Sequence, residues 1–490
     1  LRPIGTYETG IWDEGAAEIV DYDPATESLF LVNANDGSID ILDVSNPARP
    51  SLVRRVPVTA GTANSLAVHG GIVAIALEAE DSQAPGMVAF ANTFGEVLST
   101  VMVGALPDMV TFSPNGRYAL SANEGEPSDD YSRDPVGSVS IIDLSGGVEN
   151  LTQDSVTTVS FGNAPRIGDI RTNGPNASFD QDVEPEYVVV DAASRYAYVA
   201  LQENNAVAKV DIGSGDVVFV KSLGMKDHSV RGNGLDPSDR DGEIAIQTWP
   251  VFGLYMPDAI ATYSVGGRTY VISANEGDGR DYDTFSDEAD AGDLNLDPEV
   301  FPNASTLQEN ENLGRLLVSA TDGDVDGDGL HEMIVSMGGR SMAIWDESLN
   351  LVSDTGDEFE QAVAERYPDY FNIDELNPDG RSDNKGPEPE GVTVGVVNGR
   401  HYAFIGLERQ SAIMVYDIED PQNPRLVEVV DNLNFDAEVN DDGEYTEFDN
   451  AGDVGPEGLE FIPASQSPNG NPLLVVANEV SGTVTVWQIR

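Results

Sequence analysis

Residues 118–131 read YALSANEGEPSDDY, and residues 270–282 read YVISANEGDGRDY. In each, a short strand of alternating character runs out into a small, polar, acidic tail, Ala122-Asn123-Glu124-Gly125 and Ala274-Asn275-Glu276-Gly277. The tail recurs as Ala34-Asn35-Asp36-Gly37 and Ala477-Asn478-Glu479, with looser copies at Ala76-Leu77-Glu78, Leu201-Gln202-Glu203 and Gly406-Leu407-Glu408. A further strand at 333–339 keeps the apolar run but ends in Gly338-Gly339-Arg340 rather than an acid. After most tails comes a third alternating strand, at 38–44, 138–144, 206–212, 341–346, 412–418 and 483–489. A fourth often follows, as at 51–58 and 425–430. Period-two alternation rich in β-branched residues marks strands, and four antiparallel strands repeated along a chain are the blades of an all-β propeller.

Counting second strands favours eight four-stranded blades. The alternative is seven, if the region 283–313, where no third and fourth strands are visible, merges with the next blade. Residues 1–10 are expected to supply the outer strand of the last blade and close the ring against 483–490, which removes a free sheet edge. The whole of 1–490 reads as one propeller domain. Its long acidic insertions at 163–182, 224–250, 278–312, 355–388 and 431–455 read as loops too polar to build cores of their own. Helical periodicity is confined to 358–367.

The 490 residues hold 25 Lys and Arg against 86 Asp and Glu, a formal charge of −61. Nucleic acid and anionic membranes both need a basic footprint, so neither is an expected partner. The chain has no Cys, which rules out disulfides, thiol catalysis and zinc ribbons. No run of about 18 apolar residues is present to insert into a membrane. The opening Leu1-Arg2-Pro3 reads as a processed, exported chain, and an acidic surface so poor in Lys and Arg fits a marine or halophilic bacterium. The expected location is secreted or at the cell surface.

The innermost strands of many blades open with an acid, often after proline: Glu18, Pro107-Asp108, Pro185-Glu186, Pro257-Asp258, Pro389-Glu390 and Pro456-Glu457. In a propeller the first strand starts near the axis and the second returns to the same face. The opening acids and the tail acids Asp36, Glu78, Glu124, Glu203, Glu276, Glu408 and Glu479 therefore share one mouth of the central channel. Two carboxylates about 6 Å apart repel by roughly 3 kcal/mol at an effective dielectric near 20. A ring of them needs cations, basic partners or raised pKa values. Calcium, which takes six to eight oxygen ligands, is the natural counterion, and more than one ion is expected, with room for a second metal type. The plainer reading, in which these acids cap strand ends or pair with the scarce arginines, stays open at this point.

The most specific metal motif is Asp324-Val325-Asp326-Gly327-Asp328-Gly329, followed by Glu332. Acids at alternate positions with glycines at the turn wrap oxygens around calcium as an EF-hand loop does. This loop is expected to join two strands, on the face opposite the acid ring. Asp129, Asp130, Asp278 and Asp281 are weaker ligand candidates, in the two similar loops that follow Glu124 and Glu276. Arg240, Arg280, Arg340, Arg381, Lys385 and Arg409 fall near acids, either neutralising them or presenting forks to phosphate. Of the histidines, only His228 is placed to reach a site. There is no nucleophile elbow and no glycine-rich nucleotide loop.

The strings SANEGEPSDDY, GLDPSDRDG (234–242), SANEGDGRDY, DVDGDG, GGRSMAIWD (338–346) and SDNKGPEPEGV (382–392) make the chain resemble the choice-of-anchor I family of secreted propellers over nearly its whole length. That family is also similar to the mesenchyme-specific cell-surface glycoproteins of biomineralising animals, and many members carry an alkaline-phosphatase label. Family members commonly extend into a C-terminal anchor; a chain ending at Arg490 is expected to have it absent or removed. The resemblance implies an extracellular, calcium-associated protein and raises phosphate-ester hydrolysis. In that case Glu124, Glu276, Glu390 and Glu457 hold metal, joined by Asp108, Glu186 and Asp258, and Arg280 or Arg409 binds the phosphate. The competing reading is a non-catalytic surface protein of adhesion, self-assembly or mineral-ion binding; a sugar- or lactone-hydrolysing propeller has no distinctive residue support.

Overall fold

A computed structural model of the chain describes residues 1–440, 443–446 and 450–490. The insertion at 431–455 therefore lies partly outside the described residues. Among the described residues, seven sheets repeat one four-strand antiparallel meander. Blade 1 is Val20–Asp23, Ser28–Asn33, Ser38–Asp43 and Ser51–Pro57, and blade 2 is Thr62–His69, Ile72–Glu78, Pro85–Asn92 and Val97–Ala105. Blade 3 is Pro107–Phe112, Tyr118–Asn123, Ser138–Asp143 and Val156–Val159. Blade 4 is Pro185–Val190, Tyr196–Leu201, Ala206–Asp211 and Asp216–Ser222, with the short strand Arg166–Ile167 added outside. Blade 5 is Ile260–Val265, Arg268–Asn275, Ser341–Asp346 and Leu351–Asp354, and blade 6 is Pro389–Val397, Arg400–Leu407, Ala412–Asp417 and Arg425–Asp431. Blade 7 takes Pro456–Ile462, Leu473–Asn478 and Thr483–Gln488, and Arg2–Glu8 pairs antiparallel with the last of these, as the N-terminal strand was expected to do. The innermost strands neighbour one another in chain order, and Pro456–Ile462 lies beside Val20–Asp23, which closes the cycle.

Burial explains the repeat. A second strand such as Ser28–Asn33 is buried on both faces by the adjoining blades, whereas a fourth strand such as Ser51–Pro57 is exposed almost throughout. In three of the tails the Asn has its own task. Asn123 donates to Ser138 O, Ser138 Oγ and Ser140 Oγ, Asn275 to Ser341 Oγ, and Asn478 to Thr483 O and Oγ1. This buried clamp fastens the end of the second strand to the start of the third, so the residue that follows, usually Glu, is delivered to the channel mouth.

The expected eighth repeat is corrected. Ile334–Ser336 pairs in parallel with Val251–Leu254 and antiparallel with Leu317–Ser319, in a separate five-stranded sheet completed by Met225–Asp227 and Glu288–Asp290. Blade 5 instead joins Asn275 to Ser341 across the insertion. The count from sequence treated every strand with a polar tail as the second strand of a blade, and only pairing distinguishes the two. The insertions 224–250 and 278–312 are likewise not coreless. Leu235, Leu294, Leu296, Phe301 and Leu307 bury themselves against Val251, Leu313, Leu316, Val318 and Ile334. The expected helix forms at Glu358–Arg366 and packs Phe359 and Val363 against blades 5 and 6.

Near the axis the inner strands approach too closely for side chains. A Cβ on Gly391 would lie 2.1 Å from Glu457 O, and one on Gly458 would lie 2.4 Å from Glu18 O. These two glycines, each directly after a channel acid, let blades 6, 7 and 1 converge. Gly458→Ala is expected to destabilise the fold by about 1–3 kcal/mol through overpacking against backbone. A urea midpoint unchanged from the parent would show that this convergence is not tight.

Candidate metal centre

Proline and a bulge aim the channel acids. In blades 3, 4, 6 and 7 the ladder slips immediately after the opening proline: Pro107/Met109, Pro185/Val188, Pro389/Val392 and Pro456/Leu459. Proline has no N–H to give the ladder, and a bulge turns the extra residue out of register. The residue turned out is Asp108, Glu186, Glu390 or Glu457. In blades 3, 5 and 6 the residue before the proline, Leu106, Met256 or Glu388, adopts a left-handed backbone with φ of 45°, 42° and 52°. Each such strain costs on the order of 1–3 kcal/mol and clusters where geometry serves function.

The acids meet as the strand directions require. Glu18 feels Glu479 and Asp108; Asp108 feels Glu203, Glu126 and Glu78; and Asp258 feels Glu276, Asp108 and Glu408. Glu390 lies against Glu408, Glu457, Glu276 and Asp258, and Glu186 against Glu203, Glu124 and Asp258. Every blade thus contributes to one mouth. Burial, reinforced by these neighbours, pushes Glu18 up to about 8, Asp108 to about 7 and Glu408 to about 8. For the same reasons Glu124, Glu186, Asp258, Glu390 and Glu457 lie well above the usual carboxylate range. A buried Oε2 of Glu186, Glu203, Glu388, Glu390 and Glu457 accepts no hydrogen bond from the described residues. Buried polar atoms are normally satisfied, so these five carboxylate oxygens, of which that of Glu388 has Lys385 and Arg409 at 3.6 and 3.7 Å, hold the spare acceptor capacity around the channel. Asp36 does not join them; it is exposed and held by Arg55, which also clamps Asp40.

Two carboxylates were missed. Glu388, with no exposure, brings an oxygen within 4.8 Å of oxygens from Glu276 and Glu408. Glu184 is buried against Arg280 at 3.0 Å. The signal is a doubled motif, Glu184-Pro185-Glu186 and Glu388-Pro389-Glu390, of which the sequence pattern singles out only the acid after the proline. Burial favours neutral Glu388, but Lys385, Arg381 and Arg409 outweigh it and hold its pKa below the ordinary value.

The basic residues divide between two roles. Arg280 is 2% exposed and fully engaged by Glu184, Asp182 O and Asn173, so its guanidinium is a structural brace. Arg340 is likewise buried on Glu360, and Arg240 reaches only its neighbour Asp239. Arg409 is different: its side chain is 40% exposed, its Nε is 3.1 Å from Glu408, and it stands at the edge of the Glu276–Glu388–Glu408 cluster. His228 is buried inside the insertion, with Nδ1 on Asn233 O, and does not reach the ring.

The loop Asp324–Glu332 joins Leu317–Ser319 to Ile334–Ser336, as expected, and carboxylate oxygens of Asp324, Asp326, Asp328 and Glu332 lie within 4.8 Å of one another. Backbone N–H groups of Gly327, Asp328 and Gly329 donate to Asp324, and Val325 N donates to Glu332. Its expected position on the opposite face is corrected. Asp322 pairs at 2.7 Å with Arg171, which also donates to Glu203 O and engages Asp287, so the loop stands on the acid-bearing side. The insertion sheet folds back over that face, which strand direction alone does not reveal. The two similar loops after Glu124 and Glu276 meet through Tyr131 and Tyr282, edge to face at 5.2 Å. Of their acids, Asp130 is an exposed turn residue bonded to Ser128 and Ser132, while Asp278 lies 3.7 Å from Lys385.

A family model, the choice-of-anchor I domain, matches residues 18–421. Gigasin-3a of Magallana gigas is 31% identical over 198 residues, 38% of this chain and 67% of that protein. The mesenchyme-specific cell surface glycoprotein of Strongylocentrotus purpuratus is 29% identical over 292 residues, which cover 52% of this chain and 37% of the glycoprotein. Among solved structures, Kuenenia stuttgartiensis hydrazine synthase superposes over 99% of both chains with a TM-score of 0.50 and 14% identity, a likeness of fold alone. The β-propeller domain of Myceliophteria thermophila Cps50 (Swd1) covers 100% of this chain and 99% of its own at a TM-score of 0.48 and 10% identity.

The raised carboxyls set a pH dependence. Their folded pKa values, about 7 to 8 for Asp108, Glu18 and Glu408, exceed the ordinary values of 3.8 and 4.5, so the folded state binds more protons. Their stabilising contribution is complete below about pH 4 and is lost as pH rises through about 8. In chelator the melting temperature is expected to fall across that window. Saturating calcium, which favours the ionised groups, flattens the curve. A chelated protein whose melting temperature is level from about pH 5 to 8 would refute the assignment.

Proposed function

This chain belongs to the choice-of-anchor I family, and from that premise we propose that it is a cell-surface β-propeller that binds divalent cations, calcium foremost, at the carboxylate-lined mouth of its channel and in the loop Asp324–Glu332. The observation that carries this reading is the set of buried carboxylate oxygens from several blades that accept no hydrogen bond from the described residues. Desolvation and mutual repulsion disfavour the charged forms of ring residues Glu124, Glu186, Asp108, Asp258, Glu390 and Glu457, a cost that a cation among them would offset, whereas the 324–332 loop is open to solvent and arranged by its own backbone. The two therefore serve different ends: the loop steadies the insertion sheet, and the mouth is the working site. The likeness to a protein named as a cell surface glycoprotein supports the location.

Calorimetric titration with calcium is expected to give more than one site per chain, with dissociation constants reaching about 1 mM at the weak end, as for extracellular modules. Asp324→Asn with Asp328→Asn removes one site, and Glu390→Gln with Glu457→Gln removes another. A native chain that takes up no calcium at about 1 mM would end this reading.

A metal-dependent phosphoesterase is the second reading, favoured by the half-exposed Arg409 beside the Glu276–Glu388–Glu408 cluster. Glu276, Glu388 and Glu408 would hold a metal able to polarise a phosphoryl oxygen, and the guanidinium of Arg409 would hold the negative charge that develops on the ester. Arg280 is not available for that work. Turnover of phosphomonoesters and diesters is expected to vanish in chelator and to drop about 10²–10³-fold in Arg409→Ala. Activity indifferent to chelation, or none at all, leaves the surface-binding role alone.

A further inference from the structure

Glu276, Glu388 and Glu408 come from two second-strand tails and the segment before the first strand of blade 6. One carboxylate oxygen from each lies within 4.8 Å of the others, and all three side chains are buried. The cluster is already partly neutralised by the chain itself. The ammonium of Lys385 is 2.8 Å from Glu276 Oε1 and 3.6 Å from Glu388 Oε2. Arg381 holds the other oxygen of Glu388 at 2.6 Å, and Gln202 donates to the second oxygen of Glu276 at 3.0 Å. These last two contacts fix the outer oxygens. The inner ones face Lys385 and, at Glu408 and Glu388, the Arg409 Nε at 3.1 and 3.7 Å, and Oε2 of the fully buried Glu388 accepts no hydrogen bond among the described residues.

We propose that Glu276, Glu388 and Glu408 form a divalent-cation site for which the ammonium of Lys385 is the built-in competitor, so that a bound ion and Lys385 exclude one another. The proposal rests on the reading that the mouth binds divalent cations, and it names one site there and what controls it. A calcium ion bonds carboxylate oxygens at about 2.3–2.6 Å. It meets three oxygens this close after shifts of a few tenths of an ångström. An ammonium offers a single charge and tetrahedral donors, and it reaches only two of the three acids within 4.0 Å. Both cations in one pocket would repel at contact distance, so one must leave. Lys385 has a flexible stem and a route out. Its Nζ is 3.7 Å from Asp278, whose side chain is 53% exposed toward solvent. Gly386 follows it with φ of 70°, a conformation that gives the backbone a turn directly after the lysine. Arg409 stays, engaged with Glu408.

The mutual exclusion is measurable in two ways. Calcium titration of the full chain is compared with Lys385→Met and with Lys385→Arg, which keeps a cation in place. Lys385→Met is expected to bind calcium at least about tenfold more tightly at one site, a gain that Glu388→Gln abolishes and that Lys385→Arg does not show. In the parent chain, acetylation of Lys385 read by peptide mass spectrometry is expected to speed up about fivefold or more on adding calcium, since a freed amine is reached more readily. This second readout needs no variant to fold. Calcium bound by the parent, with affinity unchanged in Lys385→Met and acetylation of Lys385 unchanged, overturns the proposal while leaving the mouth as a cation site. No calcium bound by parent or variant overturns both.

Discussion

Like charges forced together by converging strands are the constraint on which this molecule depends. A propeller brings the first residue of every inner strand and the last residue of every second strand to one opening. In this chain most of those positions are Asp or Glu. At separations of about 6 Å and an effective dielectric near 20, each pair opposes the fold by roughly 3 kcal/mol if both members are ionised. The protein answers in different ways at different points. The blade 5–6 side uses Lys385, Arg381 and Arg409, whereas Glu390 and Glu457 are left with raised pKa values.

That uneven treatment points to use rather than tolerance. Arginines were available to the fold for bracing, since Arg171, Arg280 and Arg340 are buried in ion pairs that tie the insertions to the blades. None of the three is turned upon Glu390, Glu457 or Glu186. A carboxylate with neither a donor nor a cation is costly inside a protein, and the bulges and left-handed residues that aim these groups add further strain. Both costs are explained together if a divalent ion supplies the missing partner.

The proposed binding and hydrolysis would draw on the same mouth and would differ only in what stands beside the ions. A surface protein that gathers cations requires carboxylates and little else. A phosphoesterase requires, in addition, a reachable positive group, and Arg409 is the residue so placed, by exposure and by contact with Glu408. The insertion sheet, with its own apolar core, lies over this face and carries the 324–332 loop with it, so the loop and the mouth are mechanically joined through Asp322, Arg171 and Glu203.

The strand repeat, the closing N-terminal strand, the helix at Glu358–Arg366 and the identity of most ring acids were legible in the sequence, because alternation, tail motifs and strand direction are local or follow from chain order. The convergence of the carboxylates in the 324–332 loop was legible for the same reason: they are neighbours along the chain. What escaped was whatever depends on pairing across distance. Ile334–Ser336 resembles a blade strand until its partners, Val251–Leu254 and Leu317–Ser319, are known. The core of the insertion hid in segments whose average composition is polar, and the face on which the 324–332 loop stands depended on how that sheet folds back. Glu388 and Glu184 were in plain view beside recognised acids, but burial and three surrounding cations, properties of packing alone, separate Glu388 from any other glutamate before a proline. Residue order determined which groups converge on the axis; tertiary packing decided which of them are neutralised, because charge compensation is set by distances that span the whole ring.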